Sequence, residues 1–154
     1  MRVIAPASSG QLNLGLTILR AVTGIIFAAH GAQKLFVFGL DGVAGGFAQM
    51  GVPFASVVGP AVGLLEFVGG LALIAGLMTR PIAAGLAATM VGALFMVHLP
   101  AGFFLPNGYE FVLMLFAAAA TLVVTGAGAW SLDARLSDGR RQTRSAPRDL
   151  RRAA

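Results

Sequence analysis

The sequence predicts an all-α integral membrane protein, a four-helix bundle built from two parallel two-helix repeats. Three observations predict it. The 154 residues are 57% hydrophobic and 11% charged, with a mean hydropathy of +0.84, whereas a soluble domain carries about 25% charged residues. So apolar a chain has too little polar surface to face water. Four apolar segments each approach the ~20 residues that a helix needs to cross a bilayer. A short polar motif also recurs. Gly24, Phe27 and His30 in "GIIFAAH" match Gly92, Phe95 and His98 in "GALFMVH", and "EFV" follows each copy one segment later, at Glu66 and Glu110.

The elements are justified in order. Residues 1–12 form an N-terminal segment with no secretory signal pattern and are expected on the cytoplasmic side. The membrane domain is expected over 13–130, with helices at about 13–35, 58–78, 81–99 and 109–126. "GVPF", "MTRP" and "PAGFFLPNG" separate the last three, and Pro81 suits a helix first turn, where a missing N–H costs nothing. The connection "VFGLDGVAGGFAQMGVPF" is too short and glycine-rich to span. Val43, Phe47 and Met50 fall at helical spacing there, so it is either a short interfacial helix or a plain loop. Small residues in "EFVGGLALIAGL" and "PIAAGLAATMVGAL" allow helix backbones to approach closely in lipid. Residues 131–154 are expected to be a disordered tail.

Charge distribution sets topology. Seven arginines against three aspartates give the tail a net charge of +4, within +5 for the chain. Such a run suggests nucleic acid in a soluble protein. Here it reads as a juxtamembrane segment that fixes orientation and touches anionic lipid, with no nucleic-acid partner. Arg2, Arg80 and the tail on one side are expected to place both termini in the cytoplasm of an inner-membrane protein. Lys34 dissents, at a helix end from which its stem can snorkel. The chain has no cysteine. That excludes disulfides, thiolate metal sites and dithiol redox chemistry of its own.

The two histidines and two glutamates all fall in or beside apolar segments. In parallel repeats, matching positions lie at matching depths. His30, Glu66, His98 and Glu110 are therefore expected to converge in the outer half of the bundle. Lys34 stands one turn above His30 on the same face, and Arg20 lies further down. Charged groups at membrane depth cost several kcal/mol unless partnered, so His30 and Lys34 are expected to face inward and be paired. Such residues either lock the helices together or build a ligand, cofactor or proton-relay site.

"LRAVTGIIFAAHGAQKLFVFG", "LLEFVGGLALIAGLMTRPIA", "MVGALFMVHLPAGFF" and "NGYEFVLMLFAAAATLVVTGAGAWSLD" together resemble the DoxX family of small bacterial membrane proteins, from about Leu14 to Asp133. The resemblance implies a four-helix membrane protein, often a subunit of redox enzymes. Members are linked to thiosulfate oxidation with electrons passed to quinone, or to a complex protecting against oxidative stress. The family pattern maps onto His30, Lys34, Glu66, His98 and Glu110 as candidate catalytic residues.

These readings lead to a quinone-linked oxidoreductase subunit, working with a partner subunit or as a homo-oligomer. His and Glu would supply hydrogen bonds and protons, and Lys34 or Arg20 electrostatic support. Quinone is the expected cofactor, with His30, His98 and Arg20 as binding residues. Haem b between the two histidines, or a divalent metal on the His and Glu set, are alternatives. A scaffold or small-solute transporter is the competing function.

Overall fold

The structure, a computed structural model, describes residues 6–145; the expectations for residues 1–5 and 146–154 lie outside it. Among the described residues it is all-helical. Helix α1 (Ser9–Ala32) starts on a capping box: Ser8 Oγ accepts from the Gln11 amide, and Gln11 Oε1 accepts from the Ser8 amide at 2.8 Å. It continues as a π-helical stretch over Gln33–Phe38. After it come α2 (Gly39–Gln49), α3 (Ala55–Ala75) and α4 (Thr79–Ala93). A second π stretch (Leu94–His98) and a 3-10 turn (Leu99–Ala101) prolong α4, before α5 (Glu110–Thr125) and α6 (Leu132–Ser145).

Among the described residues, three continuous helical stretches are long and apolar enough to cross a membrane: Ser9–Gln49, Ala55–Ala75 and Thr79–Ala101. The shorter apolar helix α5 is the fourth member of the bundle. The chain is a membrane protein with a helical-bundle fold. Between α1 and α3 the helix alternative holds, because Val43 of α2 is buried against Gly59 of α3. The tail is helical over Leu132–Ser145, where disorder was expected. Its start is tied down, since the Asp133 amide donates to Gly76 O at 2.9 Å and the Ala134 amide to Ser131 Oγ.

Helix α1 packs chiefly on α3, and α4 on α5. Along α1, Gly24 faces Gly70 and Gly31 faces Phe67, so the first pair is antiparallel. The second pair is too: Arg80 reaches Val124 at one end and His98 reaches Asn107 at the other. Facing contacts of Gly69 with Ile82 and of Gly85 with Leu65 make α3 and α4 antiparallel as well. Helices α1 and α4 therefore run the same way, as a parallel repeat requires. Phe27, Leu73, Leu86, Met90, Leu115 and Leu122 form the core between the pairs.

The copies differ in how they pack. A Cβ on Gly24 would lie 2.6 Å from the Gly70 carbonyl oxygen, so α1 and α3 touch backbone to backbone, whereas a Cβ on Gly92 would meet nothing within 4 Å. Phe27 is 1% exposed and Phe95 63%. Glu66 is the twelfth residue of α3 but Glu110 is the first of α5. The matched depth expected for the two glutamates does not occur. The second helix of the second pair begins at its motif instead of carrying it inward.

Candidate functional site

Glycine builds the centre of the site. Gly31 has no side chain where α1 meets the Glu66–Phe67 backbone, and Gly63 leaves room for the Lys34 stem, whose Cβ would lie 3.3 Å from a Cβ at that position. The helices close on one another there. Lys34 Nζ then donates to Glu66 Oε2 at 2.5 Å, a charge-assisted bond. Glu66 is 4% exposed, while the Lys34 side chain retains partial access at 21%. A carboxylate this deep in a membrane bundle is stable only with such a partner.

The pair borders a cavity of about 660 Å³ between the two helix pairs, within the range of small-molecule sites. Phe27, His30 and Lys34 of α1 and Val58, Val62 and Glu66 of α3 line one side. Thr89, Gly92 and His98 from the α4 stretch, with Phe111 and Val112 of α5, line the other. Phe47 and Met50 at the end of α2, with Pro106 from the α4–α5 connection, cover the far end. The walls are apolar apart from the two histidines, Thr89 and the ion pair.

Of the six residues singled out in the sequence, four meet here: His30, Lys34, Glu66 and His98. His98 Nδ1 lies 2.9 Å from Asn107 O. A carbonyl only accepts, so Nδ1 carries the proton and the neutral ring keeps its lone pair on Nε2. Among the described residues the expected polar partner of His30 is not found; its side chain is exposed and its ring is tilted against Phe111, centroids 6.0 Å apart. Glu110 does not line the cavity. As the first residue of α5, its Oε1 accepts from the Leu105 amide at 2.8 Å and steadies the connection that covers the cavity. Asn107, Phe47 and Met50 were missed as contributors; only the helical spacing of the last two hinted at it.

Arg20 is elsewhere. It is 3% exposed at the opposite end, its Nη1 donating to Ala127 O at 3.1 Å and its Nη2 to Trp130 O at 2.9 Å. Its guanidinium also fills the space beside Gly76. Arg20 ties the α5–α6 connection to the bundle and cannot reach a ligand in the cavity. Arg20→Leu is expected to lower resistance to denaturation by about 3 kcal/mol, since hydrogen bonds to charged groups contribute roughly 1.5–3 kcal/mol each. Ligand content per folded molecule should not change. Titration with sodium dodecyl sulfate, paired with mass spectrometry of bound small molecules, checks both.

The DoxX family model matches residues 15–99, a stretch that holds His30, Lys34, Glu66 and His98 and stops before Glu110. A Bacillus subtilis (strain 168) protein named "Putative oxidoreductase CatD" is 32% identical over 123 residues, covering 80% of this chain and 87% of its own. An uncharacterised membrane protein of Mycobacterium tuberculosis is 32% identical over 130 residues, 77% of this chain and 79% of its own. A Haemophilus influenzae protein is 35% identical over 122 residues, with 77% and 87% covered. No solved structure matches the chain. On the family match and these relatives, the chain is a membrane protein belonging to the DoxX family.

Proposed function

We propose that this protein is the membrane subunit of a quinone-linked oxidoreductase, and that its cavity takes the quinone head group. The observation that carries this reading is an apolar cavity of about 660 Å³ into which an ion pair and two imidazoles project. The oxidoreductase name of the Bacillus relative supports it.

The residues present fit such a group. A bound quinone supplies carbonyl oxygens that accept hydrogen bonds and take up two electrons and two protons on reduction. Lys34 has three donors and gives one to Glu66, which leaves donors for a carbonyl oxygen. Glu66 holds the ammonium in place. His98, fixed through Nδ1, presents Nε2 as a second proton-holding atom. The apolar walls keep water from the ion pair and strengthen its field. Without cysteine in the chain, electrons come from a partner subunit or a bound cofactor. The protein sits in the inner membrane with both termini cytoplasmic, the cavity in the outer half.

The alternatives for the cofactor fit less well. Arg20, expected among the cofactor-binding residues, is engaged at the other end, which leaves Lys34 as the one cation among the described residues at the cavity for a haem's two propionates. Among the described residues, no three His, Cys, Asp or Glu side chains come together as a metal site would need.

Mass spectrometry of an organic extract of gently purified protein is the test. Stoichiometric quinone in the wild type, lost at least ~10-fold in His98→Ala at unchanged folding, is the expected result. An extract holding only phospholipid would overturn the reading in favour of a scaffold or transport role.

A further inference from the structure

We infer that the cavity is entered sideways from the lipid, through a slot between α3 and α4. Its ligand is a two-ended, lipid-soluble molecule whose alkyl tail lies in that slot, and Gly92 sets the room for the tail. The ligand class rests on the cavity reading above; the slot does not.

Named contacts tie the other sides of the cavity together without sealing them. Gly31 and Gly63 bring α1 against α3. The His30 and Phe111 rings meet between α1 and α5. The His98–Asn107 and Leu105–Glu110 bonds tether the end of the α4–α5 pair. Phe47, Met50 and Pro106 cover the end.

Between α3 and α4 the contacts stop halfway. Cβ atoms placed on Gly69 and Gly85 would lie 3.1 Å from Ile82 and 3.2 Å from Leu65, so the helices touch there. One and two turns further on, Val62 and Val58 of α3 face the cavity instead of α4. On α4, Ala88 and Gly92 stand one turn apart on one face, and both line the cavity. Gly92 has nothing within 4 Å of a Cβ position, so packing does not demand glycine there.

The chemistry of the slot follows from its walls. Val58, Val62, Ala88, Gly92 and Met96 offer no hydrogen bond to a water-soluble ion. They match a methylene chain, while Lys34, Glu66 and His98 line the same cavity. Polar head inside and tail outward is the arrangement that a lipid-soluble ligand requires.

The absence of cysteine allows a clean test of the slot. A nitroxide on Gly92→Cys in nanodiscs should collide readily with oxygen and poorly with a water-soluble nickel chelate. Nickel access, or no access for either, would overturn the slot even if quinone is bound. Binding then reads the ligand class, with a decyl-tailed benzoquinone compared with the same head group bearing a methyl. At equal concentration in the lipid, wild type should prefer the tailed probe by at least ~10-fold, through close contacts of the tail with the slot walls. Gly92→Leu should reduce that preference to within ~2-fold, weakening the tailed probe more than the tail-less one. Equal wild-type affinities would overturn the tail assignment while sparing the quinone reading. A lipid-open Gly92 with neither probe bound would sustain the slot, overturn the quinone reading and remove the ligand class built on it.

Discussion

Gly31→Leu is expected to yield no monodisperse protein, because it pushes α1 off α3. A Cβ on Gly31 would overlap the Phe67 amide nitrogen and lie 2.7 Å from Phe67 Cα and 2.8 Å from the Glu66 carbonyl carbon. All three atoms are backbone, so no rotamer change relieves the clash. The helices must separate, and separation pulls Lys34 from Glu66 at the same time. Overpacking alone costs about 1–3 kcal/mol; adding a broken ion pair in lipid takes the total beyond what a marginally stable bundle tolerates. Size-exclusion profiles and detergent melting curves check this. Gly92→Ala is the control and should behave as wild type, since its new methyl meets open space.

Glu66→Ala should be nearly as damaging, for electrostatic reasons. It leaves the Lys34 ammonium without its carboxylate, and breaking a buried pair on one side costs about 3–5 kcal/mol. The double variant Lys34→Met with Glu66→Leu should recover most of that stability, because neither charge then needs a partner. Quinone retention should be lost in the single and the double variant alike. If the double variant is stable and still retains quinone, the pair is only a packing lock. Denaturant titration and extract mass spectrometry on the same preparations separate the two.

Much of the fold could be read from composition because lipid imposes a strict rule: apolar runs become helices and ionisable side chains go inside. The same rule makes it legible that Lys34, Glu66, His30 and His98 gather in one place. Other positions depend on relations the sequence does not display. Glu110 shares its motif with Glu66, yet α5 starts at that residue and α3 starts well before its own. A motif reports likeness of residues, and depth is set by where a helix begins. Arg20 was placed with the site because it is a cation inside an apolar helix. What it serves, the carbonyls of Ala127 and Trp130, lies more than 100 residues away in sequence. Backbone acceptors leave no trace in composition. The π stretches after Ala32 and Ala93 likewise follow from tertiary fit, with no proline or glycine inside them to announce a change of helix.

Asp133 carries a consequence for how the chain is made. Its carboxylate accepts from the Met78 and Thr79 amides at 2.8 and 2.9 Å, capping α4 from a position 54 residues beyond Thr79. During synthesis the α3–α4 hairpin enters the bilayer while that carboxylate has yet to be translated. Water or lipid head groups must hold the two amides in the interval. Asn13, near the start of the chain, waits longer still for the Ala129 amide. The arginine-bearing end of the bundle thus closes only after α5 has been made, so its sealing follows the insertion of the α3–α4 hairpin and is no part of it.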